Sequence, residues 1–247
     1  MSIRDPYADR DSYRTKHAAK DLYYFRVTIG ETDLHIGAKR NLSREAWLSA
    51  TEARQRVQAV IEARPRFRSS LEPLRPHGTE PAPVDAMLRA GMLASVGPMA
   101  AVAGAIAEYV GRALLPLSRE VIVENGGDIF LCGPRERHIA VYAGDSPLSG
   151  QLAVVVRPEN GLGVCTSSGT VGHSLSLGRA DAALVIAHDC ALADAAATYL
   201  GNLASAADRL DEALDAVCAI PGVDGALVIY GDRLGVKGQV ELKILGT

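Results

Sequence analysis

Aromatic side chains are scarce. Phe, Trp and Tyr together make up 5% of the chain, too few to suggest the stacking surface that single-stranded nucleic acids use. Excess charge is also missing: 26 Lys and Arg stand against 29 Asp and Glu, a net charge of −3 at pH 7. That balance gives no general attraction to a phosphate backbone or to anionic lipid, so neither nucleic acid nor membrane is an expected partner. The cysteines are few and dispersed. Cys132, Cys165, Cys190 and Cys218 form no Cys-x-x-Cys pair, which argues against a zinc ribbon or a disulfide framework and for reduced, mostly buried thiols. No two histidines have a spacing that favours zinc. Residues 1–20 are polar and charged and lack the apolar core of a secretory signal, so they read as an N-terminal arm of a cytoplasmic protein. The uncharged run Gly91–Ala107 is short for a bilayer, rich in Gly and Ala, and holds Pro98; a buried helix is expected there.

What remains is ordinary globular material, with 48% apolar and 22% charged residues in 247. That length can bury a large core, and residues 21–247 are read as one domain. Leu22–Ile29 and Asp33–Ala38 suit two strands joined by a turn at Gly30. Ser43 is the expected cap of a helix to about Ala63, and the five prolines in Arg64–Pro83 suggest a long connection. Its Arg66, Arg68 and Arg75 fit a solvated face better than a phosphate site. A helix over about Val84–Leu115, broken at Gly97–Pro98, carries the stripe Val102, Ile106, Tyr109, Val110 and Leu114 amid small residues. A helix start near Gly97–Ala100 would offer backbone N–H groups to an anion. Strands are expected at Val121–Val123, Ile129–Leu131, His138–Tyr142, Gln151–Val156, Val164–Thr166 and Ala183–Ala187. Helices follow over Ala191–Asn202, capped by Asp189, and over about Ala204–Cys218. Ala226–Tyr230 and Gln239–Leu245 close the chain as strands around a glycine-rich turn. Strand clusters alternating with helical pairs indicate an α+β fold with a mainly antiparallel sheet.

Three segments carry polar groups suited to chemistry. Residues Val121–Leu131 place Asn125, Gly126, Gly127 and Asp128 between two apolar runs, which is a hairpin signal in its own right. The glycines also let another group approach the backbone closely. Cys165–Ser174 offers hydroxyls at Thr166, Ser167, Ser168, Thr170 and Ser174 and flexible backbone at Gly169 and Gly172, a loop able to wrap a phosphate or to lie as a polar surface turn. A serine nucleophile with His173 as base lacks the Gly-x-Ser-x-Gly elbow. His188 beside Asp189 fits a packed or solvent-facing histidine. Asp194 and Thr198 stand four apart, so on a helix their oxygens share a face. Such a pair suits Mg²⁺ with water and phosphate oxygens, or equally a surface Asp and a Thr bonded to its own helix.

Taken in series, GPMAAVAGAIAEYVG (Gly97–Gly111), VENGGDIFL (Val123–Leu131), AGDSPLS (Ala143–Ser149), CTSSGTVGHSLSLGRAD (Cys165–Asp181) and LADAAATYLGN (Leu192–Asn202) resemble the ApbE superfamily, the FAD:protein FMN transferases. Within it the chain is closest to a shorter, cytoplasmic ApbE-like group. The resemblance implies an ApbE-like, T-fold-related α+β fold of two related halves, with FAD and Mg²⁺ in a cleft between them. It implies cleavage of the FAD pyrophosphate and transfer of FMN to a Thr or Ser of a protein acceptor. Carried over by motif, Asp194 and Thr198 would hold Mg²⁺. Asn125, Gly126, Gly127, Asp128, Ser168, Gly169 and Thr170 would line the flavin nucleotide site. His173 and Glu108 are the candidates for a catalytic role.

The chain departs from the transferase pattern at several points. Ala103-Gly104 stands where the transferases carry Lys-Gly, and Glu108 where they carry an aspartate. Their long His-Ile-x-Asp-Pro-x-x-Gly segment is replaced by the shorter His173–Asp181. Two function classes therefore stay open: an FMN transferase, and a non-catalytic cofactor-binding protein on the same scaffold. Hydrolysis through Ser168 or His173 is a weaker third. A homodimer burying the Gly/Ala-rich surface is one assembly open to the chain.

Overall fold

The computed structural model describes residues 21–167 and 179–245. Among the described residues, eleven strands form two antiparallel sheets. The larger runs in the order β1 (Tyr23–Ile29), β2 (Thr32–Ala38), β3 (Val121–Asn125), β4 (Asp128–Cys132), β7 (Leu162–Ser167), β8 (Ala182–Ala187), β9 (Val223–Tyr230) and β10 (Arg233–Gly238). The smaller places β6 (Leu152–Val156) between β11 (Glu241–Ile244) and β5 (Arg137–Ala140). Between β2 and β3 lie α1 (Ser43–Ala63), α2 (Arg66–Ser69), α3 (Val84–Ala94), a 3₁₀ turn (Pro98–Ala101) and α4 (Val102–Leu114). Between β8 and β9 lie α5 (Cys190–Leu203) and α6 (Leu210–Cys218). The order strand, strand, helices, strand, strand thus occurs twice, and the two halves meet where β4 pairs with β7.

The period-2 alternation of strands sorts side chains into two cores. Phe130, Val185 and Val228 face the helices, together with Leu34, Ile36 and Val123. Their chain neighbours Leu131, Leu184, Ile186, Leu227 and Ile229 face the opposite way and pack on Val154 and Val156 of the small sheet. The result is three layers: helices, large sheet, small sheet. The uncharged run falls in the helical layer. Among the described residues no single helix is long and apolar enough to cross a membrane, and α3 meets the segment from Pro98 at a bend of 109°.

Several local expectations need correction. Ser43 is the first helical residue rather than the cap; its N–H donates to Asn41 Oδ1 at 2.9 Å and its hydroxyl bonds the same oxygen. The Arg64–Pro83 connection contains α2, because Phe67 is fully buried and draws one helical turn down with it. α6 begins at Leu210 rather than Ala204, since its inward stripe is Leu210, Ala213, Leu214 and Val217. At the C-terminus the expected strand pair is three strands. β10 pairs with β9, and β11 leaves for the small sheet beside β6. β10 is inconspicuous in the sequence because both its faces are largely exposed and its alternation is limited to the pair Leu234 and Val236.

A charged network ties the layers together. Glu120, 2% exposed, receives Lys39 Nζ at 2.7 Å and also pairs with Arg137 of β5. Arg137 Nη1 reaches Asp21 at 2.9 Å, and Lys39 reaches Asp21 at 3.1 Å. The Arg137 hydrogen bond holds the Asp21 carboxyl well below its ordinary value despite burial. At Glu120 burial pushes upward, but Lys39 and Arg137 outweigh it and the pKa is lowered. Groups depressed in the folded state stabilise it fully above their unfolded pKa and lose that contribution as pH falls through the folded value. Arg137→Ala, which leaves Glu120 short of a partner, is expected to cost about 3 kcal/mol at pH 7. The gap from wild type should narrow only below about pH 4, as the pH falls through the lowered folded value of Glu120. Urea melts at both pH values check this; a pH-independent gap would assign the loss to packing.

Candidate functional site

The Asn125–Asp128 corner is a two-residue hairpin. Asn125 pairs with Asp128 across it, and Gly126 and Gly127 take φ of 70° and 108°. Two consecutive positive φ values are what a tight turn matching strand twist requires. Its side chains do more than turn the chain. Asn125 Nδ2 donates to the Ala103 carbonyl at 3.0 Å, and Gly127 N–H donates to Glu124 Oε1 at 3.0 Å. Glu124, Asn125 and Asp128 are all buried. A Cβ at Gly126 would meet nothing within 4 Å, so the tip is open to an approaching group.

Asn125 leads to the start of α4, where the second part of the site lies. Gly104 N–H donates to Asp194 Oδ2 of α5 at 2.8 Å. In return, Cys190 N–H at the start of α5 donates to Glu108 Oε2 of α4 at 2.7 Å. Each helix start carries N–H groups without intrahelical acceptors, and each is served by an acid of the other helix. The anion expected near Gly97–Ala100 is thus met slightly downstream by one of the protein's own carboxylates. Asp189 caps α5 as expected, accepting from Leu192 N–H at 3.0 Å. The helices must come very close for this exchange: a Cβ at Gly104 would stand 2.3 Å from the Cys190 carbonyl oxygen.

Electrostatics single out Asp194. Its carboxyl is part-buried against the start of α4, and desolvation first, then the charge of Asp128, push its pKa well above the ordinary value. The Gly104 N–H opposes that rise. Thr198 follows four residues later on α5, on the same helix face. Glu108 also rises, by burial, although its oxygens are engaged by Cys190 N–H and Arg112, whose Nε lies at 2.6 Å. That engagement gives Glu108 a structural task beside any catalytic one. The Cys165 and Cys190 thiols lie 3.6 Å apart and fully buried. Burial pushes Cys190 up to about 11 and Cys165 well above its usual value, so at neutral pH both are unreactive packing groups. His188 is exposed beside Asp224 at 3.4 Å.

The structure therefore brings Asn125, Gly126, Gly127, Asp128, Asp194 and Glu108 into one region, with Thr198 on the Asp194 face. Ser168, Gly169, Thr170 and His173 lie outside the described residues. Among the described residues no three His, Cys, Asp or Glu groups form a metal cage. A cation here would need hydroxyl, carbonyl, water or ligand oxygens beside its carboxylates, which suits Mg²⁺. Two mutually repelling carboxyls with Thr198 nearby fit such an ion. The reading from sequence missed the Ala103 carbonyl, the Gly104 N–H and the Cys190 N–H. Backbone groups leave no mark in residue identity beyond the small side chain that lets them be reached.

Two glycine substitutions separate close approach from turn geometry. Gly104→Ala should lower stability by about 3 kcal/mol, because the Cys190 backbone must move. Gly126→Ala meets open space and should cost about 1 kcal/mol through its positive φ. Chemical denaturation of both variants measures the difference; equal losses would refute the close-approach account.

Comparison with known proteins agrees with this architecture. A UPF0280 protein of Methanosarcina acetivorans is 40% identical over 218 residues, covering 87% of this chain and 83% of the relative. One from Methanocella arvoryzae is 43% identical over 189 residues, covering 76% and 77%. Among solved structures, the ApbE protein of Thermotoga maritima superposes with a TM-score of 0.55 at 14% identity, covering 87% of this chain and 96% of that one. The Pseudomonas stutzeri flavinyl transferase ApbE gives 0.54 at 14% identity, covering 88% and 94%. These structural likenesses establish the shared mixed helix and antiparallel-sheet fold. The family described as AbpE bacteria matches residues 14–236, and the chain accordingly belongs to that family, within the ApbE superfamily.

Proposed function

We propose that the region between the Asn125–Asp128 hairpin, the start of α4 and the Asp194–Thr198 face of α5 binds a flavin nucleotide with Mg²⁺. In its sharper form the proposal is that this cytoplasmic chain is an FAD:protein FMN transferase acting on a Thr or Ser of an acceptor protein. The observation that carries the reading is Asp194: a part-buried carboxyl subject to the like charge of Asp128 and backed by the Gly104 N–H. Like charges held this close gain from a cation, and Thr198 adds a hard oxygen donor. The flavin transferases of Pseudomonas stutzeri and Vibrio cholerae among the structural neighbours support the ligand class.

In this reading Asp194 and Thr198 hold Mg²⁺, which when bound offsets the charge that develops on pyrophosphate oxygens. Asn125, oriented through Nδ2 on the Ala103 carbonyl, presents its remaining oxygen to a ligand donor. Gly126 and Gly127 keep the hairpin tip free of side chains, so a flat ring system can lie against backbone. Glu108 holds the start of α5 in register beneath Asp194. By motif, Ser168, Gly169 and Thr170 are proposed to contact the flavin nucleotide, with His173 as a candidate for a catalytic role.

The second reading, binding without transfer, is favoured by one specific feature: Ala103 stands where the transferases place a lysine. A missing buried cation weakens the hold on pyrophosphate by about 2 kcal/mol. Incubation of the full chain with FAD, Mg²⁺ and a Thr-containing acceptor fraction distinguishes the two. AMP release with FMN appearing on the acceptor supports transfer; quenching of FAD fluorescence without AMP release supports binding alone. Asp194→Asn keeps an acceptor for Gly104 N–H and removes the charge. It should fold normally yet lose at least about tenfold of the Mg²⁺-dependent gain in FAD affinity. Absence of FAD binding by the wild-type protein at saturating Mg²⁺ would sink the flavin reading and leave only a binding protein for a different nucleotide or cofactor.

A further inference from the structure

Among the described residues, two buried side-chain oxygens have no hydrogen-bond partner: Ser49 Oγ and Ser167 Oγ. They differ in kind. Ser49 lies within α1 beside Ala46, Ala50 and Ala53 on its buried face. A mid-helix serine can turn its hydroxyl to the carbonyl one turn back. Ser167 is the last residue of β7 and 5% exposed, and a strand gives it no such local acceptor.

Its place in the sheet is well defined. Ser167 pairs with Ala183 of β8 and alternates with Cys165, whose thiol faces Cys190 of α5. It therefore points to the helical side of the sheet, the side on which Asn125 reaches Ala103. The carbonyl of Thr166, the residue before it, lies 3.8 Å from a Cβ placed on Gly127. Ser167 thus stands one residue beyond the hairpin corner, at the edge of the region assigned to the ligand. A buried hydroxyl without a partner is unfavourable in the free protein and becomes satisfied once a ligand atom arrives.

We infer that Ser167 is a ligand-contacting residue whose hydroxyl hydrogen-bonds an uncharged polar atom of a flavin, in the ring or the ribityl chain, and not a phosphate oxygen. The inference rests on the flavin reading above. The uncharged partner follows from the surroundings. Asp128 pairs with Asn125 across the hairpin and so faces the helical side of the sheet with Ser167. A phosphate oxygen at Ser167 would add negative charge to that side, whereas a carbonyl, ring nitrogen or hydroxyl adds none.

The test titrates riboflavin, FMN, FAD and AMP into full-length wild type, Ser167→Ala and Ser167→Thr, by flavin fluorescence and calorimetry. Ser167→Ala is expected to weaken all three flavins by a common factor of about fivefold, with AMP unchanged. Ser167→Thr, which keeps the hydroxyl, should recover part of the loss. The ligand-free Ser167→Ala protein should melt about 2–4 °C higher than wild type, since the unpaired hydroxyl is gone. Unchanged flavin affinities in Ser167→Ala would overturn the inference while leaving flavin binding intact. A loss confined to FMN and FAD, with riboflavin spared, would also overturn it and assign a phosphate contact. A lowered melting temperature with AMP affinity lost as well would mark a structural serine. If wild type binds no flavin, the functional reading falls and the inference falls with it.

Discussion

Two backbone N–H groups and two acids hold the centre of this protein. Gly104 of α4 donates to Asp194 of α5, and Cys190 of α5 donates to Glu108 of α4. On each helix the acid stands four residues beyond the donor. A helix start buried under a sheet cannot leave its first N–H groups to water, and here each start is completed by the other. The exchange works only if the helices nearly touch, which makes Gly104 obligatory where its Cβ would otherwise meet the Cys190 carbonyl at 2.3 Å. The same demand continues into the sheet, where a Cβ at Gly163 of β7 would lie 2.5 Å from Cys190 Cα. The abundance of Ala and Gly in α4 and α5 is thus explained by packing distance.

The exchange also sets the character of the site. Asp194 is held by Gly104 before any ligand arrives, so its relation to Thr198 and Asp128 needs no rearrangement on binding. Its pKa is raised because burial and Asp128 both oppose its charge. A protein that keeps two acids under this mutual repulsion gains most from a cation. In the proposed reading, with Ala103 at this point of α4, negative charge on a phosphate would be offset chiefly by the ion that Asp194 would hold.

Much of this was legible in residue order. The apolar runs located most strands, Asp189 announced the cap of α5, and Gly97–Pro98 announced the break before α4. What escaped had non-local causes. β10 carries no buried face, and β11 is defined by its pairing with β6, some ninety residues earlier in the chain. The start of α6 at Leu210 is set by where its stripe first meets the core. At the site, side chains could be named in advance, but their backbone partners could not. The Ala103 carbonyl and the Gly104 and Cys190 N–H groups exist in every sequence; only the fold selects them. Ser167 was one of several hydroxyls in its segment, and only burial without a partner sets it apart.

The Asn125–Asp128 corner shows why a hairpin and a ligand wall need not be competing readings. Its backbone is a tight hairpin with two positive φ values. That very tightness leaves Gly126 without neighbours while both flanking polar residues stay buried. A longer loop would carry side chains over the cleft, and a turn with a Cβ at Gly126 would add strain at its tip. The hairpin also joins the halves: β4 leaves it to pair with β7, and Asn125 reaches back to α4. One two-residue turn therefore couples sheet register, helix position and an open backbone surface. A substitution at this turn therefore acts on the backbone surface and on the fold together.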